Sequence, residues 1–140
     1  MMHVHRRQDG STTFLGEHST LEVRRPSGNV VLVTLSGNDV GEFGSAPLVE
    51  ITPDVKRGPV HLFIDARRGH TASLEVSHEW AEWMKQHRDA LESVTMLTGS
   101  KFIQLTATFV RSFAELGDKM RIYTSADAFD DELATVVRRA

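Results

Sequence analysis

The sequence predicts a single α/β domain: a mixed, mostly parallel sheet of about five strands with helices packed on it, opened by an N-terminal β-hairpin. Three observations carry this. Thr20-Leu21-Glu22-Val23-Arg24 alternates apolar and polar residues, and the turn cluster Pro26-Ser27-Gly28-Asn29 joins it to the β-branched run Val30 to Leu35. From Val60 onward, short apolar runs alternate with amphipathic stretches, the order that crossover connections and parallel strand pairs require. The 140 residues hold no repeat, low-complexity tract or linker and suffice for one core. A polar tail or edge segment is expected over residues 1–16 and one domain over 17–140.

The elements follow in order. After the hairpin, Gly37-Asn38-Asp39 is expected to stop the strand, and Val40 to Lys56, interrupted by glycines, Pro47 and Pro53, to hold one short helix near Ala46 to Ile51. Val60 to Ile64 reads as a buried strand and Leu74 to about Leu91 as a helix. On that helix Val76, Trp80, Trp83, Met84, His87 and Leu91 share a face opposite Glu75, Glu79, Glu82, Gln86 and Asp89. A strand at Val94 to Leu97, a helix from about Phe102 to Leu116 and a strand at Met120 to Tyr123 come next. The closing helix, about Ala126 to Arg138, starts with Asp127, Asp130, Asp131 and Glu132 and ends in Arg138-Arg139, so its charges oppose the macrodipole at both ends. Phe129, Leu133, Val136 and Val137 form its apolar stripe.

The helix from Phe102 is too apolar for one sheet face. At 100° per residue its apolar side chains, among them Phe102, Leu105, Phe109 and Phe113, spread over roughly 200°, against the stripe of about 100° that packing on a sheet needs. The excess is to be covered by neighbouring helices or by something outside the domain.

Composition excludes several functions. Without cysteine there is no disulfide framework, thiol nucleophile or cysteine-bound zinc. A net charge of −3 leaves no basic footprint for nucleic acid, and no apolar run approaches the length of a membrane span. The N-terminus lacks the apolar core of a signal peptide, and a cytoplasmic protein is expected.

Candidate chemistry gathers where the strand ending at Asp65 opens into Arg67-Arg68-Gly69-His70-Thr71-Ala72-Ser73, read as a loop. Ligands in open α/β sheets collect at the carboxyl ends of strands, and helix N-termini favour anions. Arg67, Arg68, Thr71 and Ser73, with Gly99, Ser100 and Lys101 from the next such turn, therefore form a candidate anion or ligand site, although Ser and Thr at these places also serve as ordinary N-caps. His78-Glu79-Trp80-Ala81-Glu82 lacks the second histidine of a zinc-protease helix, Thr98-Gly99-Ser100-Lys101 lacks phosphate-loop spacing, and no Gly-x-Ser-x-Gly elbow occurs. No enzymatic activity, metal or cofactor is expected.

Leu62-Phe63-Ile64-Asp65-Ala66-Arg67-Arg68-Gly69, Val94-Thr95-Met96-Leu97-Thr98-Gly99-Ser100-Lys101-Phe102, and Arg121-Ile122-Tyr123 followed by Ala126 to Leu133 resemble the STAS domain superfamily, more closely its SpoIIAA-like subgroup, related to anti-sigma-factor antagonists. With the hairpin, the resemblance runs from about Glu17 to the C-terminus. It implies a non-catalytic regulatory or protein-interaction module. The phosphorylatable antagonists carry a serine in an Asp-Ser-x-Gly type motif where this chain has His70-Thr71-Ala72-Ser73-Leu74-Glu75, so that switch is missing, although Thr71 or Ser73 has the hydroxyl to accept a phosphate.

The expected partner is a protein or a second copy of the chain, with a homodimer formed through Phe102, Leu105, Phe109 and Phe113. Trp80 and Trp83 are candidate anchors for an interface or for the core. The alternative is a carrier or sensor of a small apolar or lipid-like ligand, which a preformed cavity between this helix and the sheet would favour.

Overall fold

The computed structural model describes residues 2–139. Seven strands form one sheet in chain order: β1 (His3–Arg6), β2 (Thr12–Leu15), β3 (Ser19–Ser27), β4 (Val30–Asp39), β5 (Val60–Ala72), β6 (Leu91–Thr98) and β7 (Met120–Tyr123). The first three pairings are antiparallel and the last three parallel. The mixed α/β class is as expected, but the sheet has seven strands rather than about five, and parallel pairs do not outnumber antiparallel ones. The two additional strands come from the segment read as a tail or edge: β1 exposes all four residues, whereas Ser11 to Phe14 are buried.

Helices α1 (Ala46–Arg57), α2 (Leu74–Gln86) and α3 (Lys101–Phe113) make the crossovers between successive parallel strands. Parallel crossovers share one hand, so a sheet that grows steadily in one direction receives all three on the same face. Strand alternation divides the core accordingly. Val31, Val33, Leu62, Ile64, Val94 and Met96 pack with Leu48, Ile51, Ala81, Met84, Ile103, Ala107 and Val110 of the three crossover helices. Val30, Leu32, Phe63 and Leu97 point the other way, onto Phe129 of α4 (Ala126–Arg139), whose Leu133, Val136 and Val137 complete a second cluster. Phe63 meets Phe129 edge-on, with ring centroids 5.7 Å apart.

Several boundaries differ from the sequence reading. Gly37 does not stop β4: with φ +84° and a register shift beside it, it bends the strand, which runs on to Asp39. A Cβ there would collide with the carbonyl oxygen of His18, so only glycine fits. β5 does not end at Ile64 but continues through the supposed loop to Ala72, pairing Gly69 with Gly37 and Thr71 with Asn38. Helix α1 passes through Pro53, which sits on its exposed side, because the turn beyond is anchored by buried Asp54 and Val55. Helix α2 ends at Gln86 and α3 at Phe113, both short of the expected limits.

Asp54 is only 4% exposed and takes the Arg25 guanidinium on both oxygens, Nε to Oδ1 at 3.1 Å and Nη2 to Oδ2 at 2.9 Å, with Arg57 at 2.8 Å. Glu50 joins Arg25 and Arg6, so two carboxylates of α1 fasten it to β3 and β1. This network stabilises geometry rather than making a site: the buried carboxylate has its charge and lone pairs satisfied by arginine.

Candidate functional site

At the carboxyl ends of β5 and β6 the hydroxyls of the ligand candidates are already engaged, those of Ser73 and Ser100 with the backbone and that of Thr71 with a side chain. Ser73 caps α2 by accepting from the Val76 N–H at 3.2 Å, and Ser100 caps α3 by accepting from the Ile103 N–H at 3.4 Å while donating to the His70 carbonyl at 2.8 Å. Thr71 donates to Asn38 Oδ1 at 3.0 Å. The Ser100 bond to His70 shows that the two segments do meet. Arg67 is not part of that meeting: it lies with Asp65 and reaches Asp130 of α4 at 2.6 Å, so its charge is opposed by two carboxylates. Asp130 and Asp65 accordingly raise its pKa. Arg68, Gly99 and Lys101 are exposed.

The outer face of α2 and α3 carries the feature that the wide apolar arc announced. Ile103, Ala107 and Val110 turn to the sheet, but Phe102 stays 72% exposed, Leu105 70% and Phe109 37%, and beside them Leu74 at the start of α2 is 73% exposed. Neighbouring helices cover only part of the arc. His78 of α2 lies edge-on to Phe109, centroids 5.2 Å apart, and Phe113 is half-buried with the Lys85 ammonium 5.1 Å from its ring centre. The four exposed side chains offer on the order of 400 Å² of apolar surface, within the range of the largest patch on ordinary monomers and one often used in binding. Helical spacing sets the flanks of this ridge: Glu75, Glu79 and Glu82 on the side of α2 away from α3, and Lys101, Gln104, Thr108 and Arg111 on the side of α3 away from α2.

The two tryptophans part company. Trp83 is buried, and its indole N–H donates to Thr52 Oγ1 of α1 at 3.0 Å, which makes it a core anchor rather than an interface residue. Trp80 is half-buried and lines a cavity of about 70 Å³ between the sheet, α2 and α3, with walls that include Val33, Ile64, Met84, Met96 and Ala107. The cavity is well below the few hundred Å³ of ordinary small-molecule sites.

Asp39, at the end of β4, reaches the same cavity. It is 5% exposed; its Oδ1 accepts from the Gly41 N–H at 3.1 Å and its backbone carbonyl accepts from the Ser73 N–H at 2.8 Å. Burial first, and then the nearby carboxylates Glu42 and Glu79, push its carboxyl above the ordinary aspartate range, against the opposing hydrogen bond from Gly41. By its neighbours Gly37 and Asn38, Asp39 reads as a strand-stopping turn residue; the Asp39-x-Gly41 spacing is the one local signal of its backbone bond.

Among the described residues no group of three or more histidine and carboxylate side chains is arranged to hold a metal ion, and His78 and Glu82 are both exposed on α2. No described helix is long and apolar enough to cross a membrane.

No family model matches the chain, and no curated protein matches it. Solved structures do. The anti-sigma factor antagonist SpoIIAA in its unphosphorylated form superposes with a TM-score of 0.54 at 15% identity, covering 81% of this chain and 96% of that one. An uncharacterised protein from Shewanella loihica PV-4, described as a DUF3478 family member with a SpoIIAA-like fold, gives 0.57 at 14% identity over 85% of this chain and 97% of its own. This chain has the SpoIIAA-like fold. An anti-sigma factor antagonist from Mycobacterium paratuberculosis gives 0.53 at 17% identity, covering 96% of this chain and 99% of that one. On this SpoIIAA-like domain the apolar ridge and the Asp39 cavity are the two features that packing alone does not explain.

Proposed function

We propose that this chain is a non-catalytic regulatory module of the STAS/SpoIIAA-like type that works by protein–protein contact, with the α2–α3 ridge as its docking surface. The observation that carries the reading is the exposure of Phe102, Leu105 and Leu74 on the neighbouring helices α2 and α3, each by at least 70%. Leaving such groups in water forgoes about 1.5–3 kcal/mol apiece, which a partner recovers. Two of the similar structures are named as anti-sigma-factor antagonists, and such proteins act on protein partners. The hydroxyls of Ser73 and Ser100 serve as caps, and with the Asp-Ser-x-Gly motif missing the reading does not depend on a serine phosphorylation switch.

The proposed partner is a second copy. The ridge is bounded by carboxylates along α2 and by Lys101 and Arg111 along α3, so a two-fold axis lying in the interface parallel to the helices places each acidic flank over the basic flank of the other copy. With rim residues added, the area approaches the roughly 800 Å² per partner of a standard interface. Sedimentation equilibrium tests this: association weakened by Leu105→Asp supports the reading, and a wild type that stays monomeric at high concentration removes the homodimer.

A carrier of a lipid-like ligand has the α3 cavity in its favour, but about 70 Å³ holds no acyl chain. Only a much smaller ligand fits, and that is a separate matter.

A further inference from the structure

The Asp39 cavity has an anteroom. A crevice of about 10 Å³, lined by Phe43, Pro47, Leu48 and Glu79, shares Asp39, Val76 and Trp80 with the larger cavity. On the measure by which a single water needs about 10–15 Å³, the crevice takes one small polar group and the cavity about five more groups of that size. The two spaces differ in chemistry. The cavity is walled almost wholly by aliphatic and thioether groups; the crevice combines two carboxylates with two aromatic rings, and neither is lined by a Lys, Arg or His among the described residues. Asp39 Oδ1 accepts from the Gly41 N–H, while Oδ2 takes no hydrogen bond from any described residue and is not sealed from solvent, although the residue as a whole is only 5% exposed. An oxygen that keeps this access takes its donor from water or from a ligand that displaces that water.

We propose that this pair of spaces is a binding site for a small primary alkylammonium: the ammonium in the crevice, donating to Asp39 Oδ2 and held between Glu79 and the rings of Phe43 and Trp80, and a compact branched alkyl group of about four or five carbons in the cavity. The head is chosen by charge and the tail by shape. An anion is repelled by Asp39, Glu79 and the neighbouring Glu42; a neutral alcohol satisfies the same oxygen but brings no charge; a long chain has nowhere to go. Asp39 lies where β4 ends beside the start of α2, the edge at which parallel sheets keep their ligands. The ridge residues Phe102, Leu105 and Phe109 are not among the lining residues, so the site and the docking surface succeed or fail separately.

Amide NMR of the full chain titrated with isobutylammonium and, in parallel, isobutyrate tests this. The expected result is selective, saturable shifts at Asp39, Gly41, Ser73, Val76, Ser77 and the Trp80 indole with the amine, and none there with the acid. Asp39→Asn, which keeps the acceptor for Gly41 but removes the charge, is expected to weaken the amine at least tenfold. Ala107→Val, which places two methyl groups in the cavity, is expected to weaken isobutylammonium more than methylammonium. Equal shifts with amine and acid, no selective shift with the amine, or unchanged affinity in both variants would overturn the proposal.

Discussion

Phe102→Asp separates association from folding, and the structure gives both magnitudes. Full burial of a Phe stabilises by about 1.5–3 kcal/mol, and Phe102 is 72% exposed in the isolated chain, so folding stands to lose under about 1 kcal/mol. The residue also lies in the first turn of α3, just after Lys101 and the Ser100 cap, where a carboxylate gains about 0.3–1 kcal/mol from the helix dipole. The net change in folding stability is therefore close to zero. In the proposed dimer the exposed part of both copies is buried, so losing it twice costs about 2–4 kcal/mol before the desolvation of two new carboxylates is added. Self-association should fall about a thousandfold while the thermal midpoint stays within a few degrees. Sedimentation equilibrium and thermal melts of the same samples read both quantities. A variant that associates as tightly as the wild type refutes the ridge as interface, and one that unfolds refutes the assignment of Phe102 to the surface.

Other perturbations test the fold and its electrostatics. Asp54→Ala strips Arg25 and Arg57 of a shared buried partner and is expected to cost about 2–3 kcal/mol in urea unfolding, against a change within about 0.5 kcal/mol for removing the exposed Glu115 end of the Arg88 pair. Ser73→Ala removes the α2 cap, with an expected loss of about 1 kcal/mol; no loss would mean that the hydroxyl is not committed to Val76. Asp39 has its folded pKa raised, so its protonated form favours the native state: that contribution is complete below the ordinary aspartate value of about 4 and is lost as pH rises through the folded pKa. Asp39→Asn should accordingly stabilise the protein at pH 7 and lose that advantage near pH 4, and an advantage independent of pH would contradict the burial of the charge.

How far the sequence could be read depended on whether local pattern or distant packing decided each residue. From Val60 onward, strands and helices alternate as expected because each carries its own apolar face, and the surplus of Phe102, Leu105 and Phe109 on α3 was visible as an arc too wide for the sheet. The second half of β5 reads as a loop because Arg67, Arg68, His70 and Thr71 are polar and exposed although extended and paired with β4; only Gly69, under Ile103 of α3, is buried among them, and glycine carries no strand signal. Proline misled at α1, where Pro53 faces water and the last turn is held from outside by Arg25. Nothing in the order of residues joins Asp54 to Arg25 or brings α2 over Asp39; those follow from the sheet order. Of the candidate anion residues, Ser73 and Ser100 lie at helix starts as expected, but the strand face sends Arg67 to Asp65 and Asp130.

The chain has no cysteine, so a single nitroxide introduced through Thr108→Cys, exposed on α3 at the margin of the ridge, reports directly on whether two copies meet there. Double electron–electron resonance between copies is predicted to show a short, well-defined distance for this label and to lose it on adding Phe102→Asp. A label at Ala134 on α4, across the sheet, is predicted to give only a long distance. A short distance from Ala134 with none from Thr108, or a Thr108 signal unchanged by Phe102→Asp, would contradict the ridge as the surface through which this domain associates.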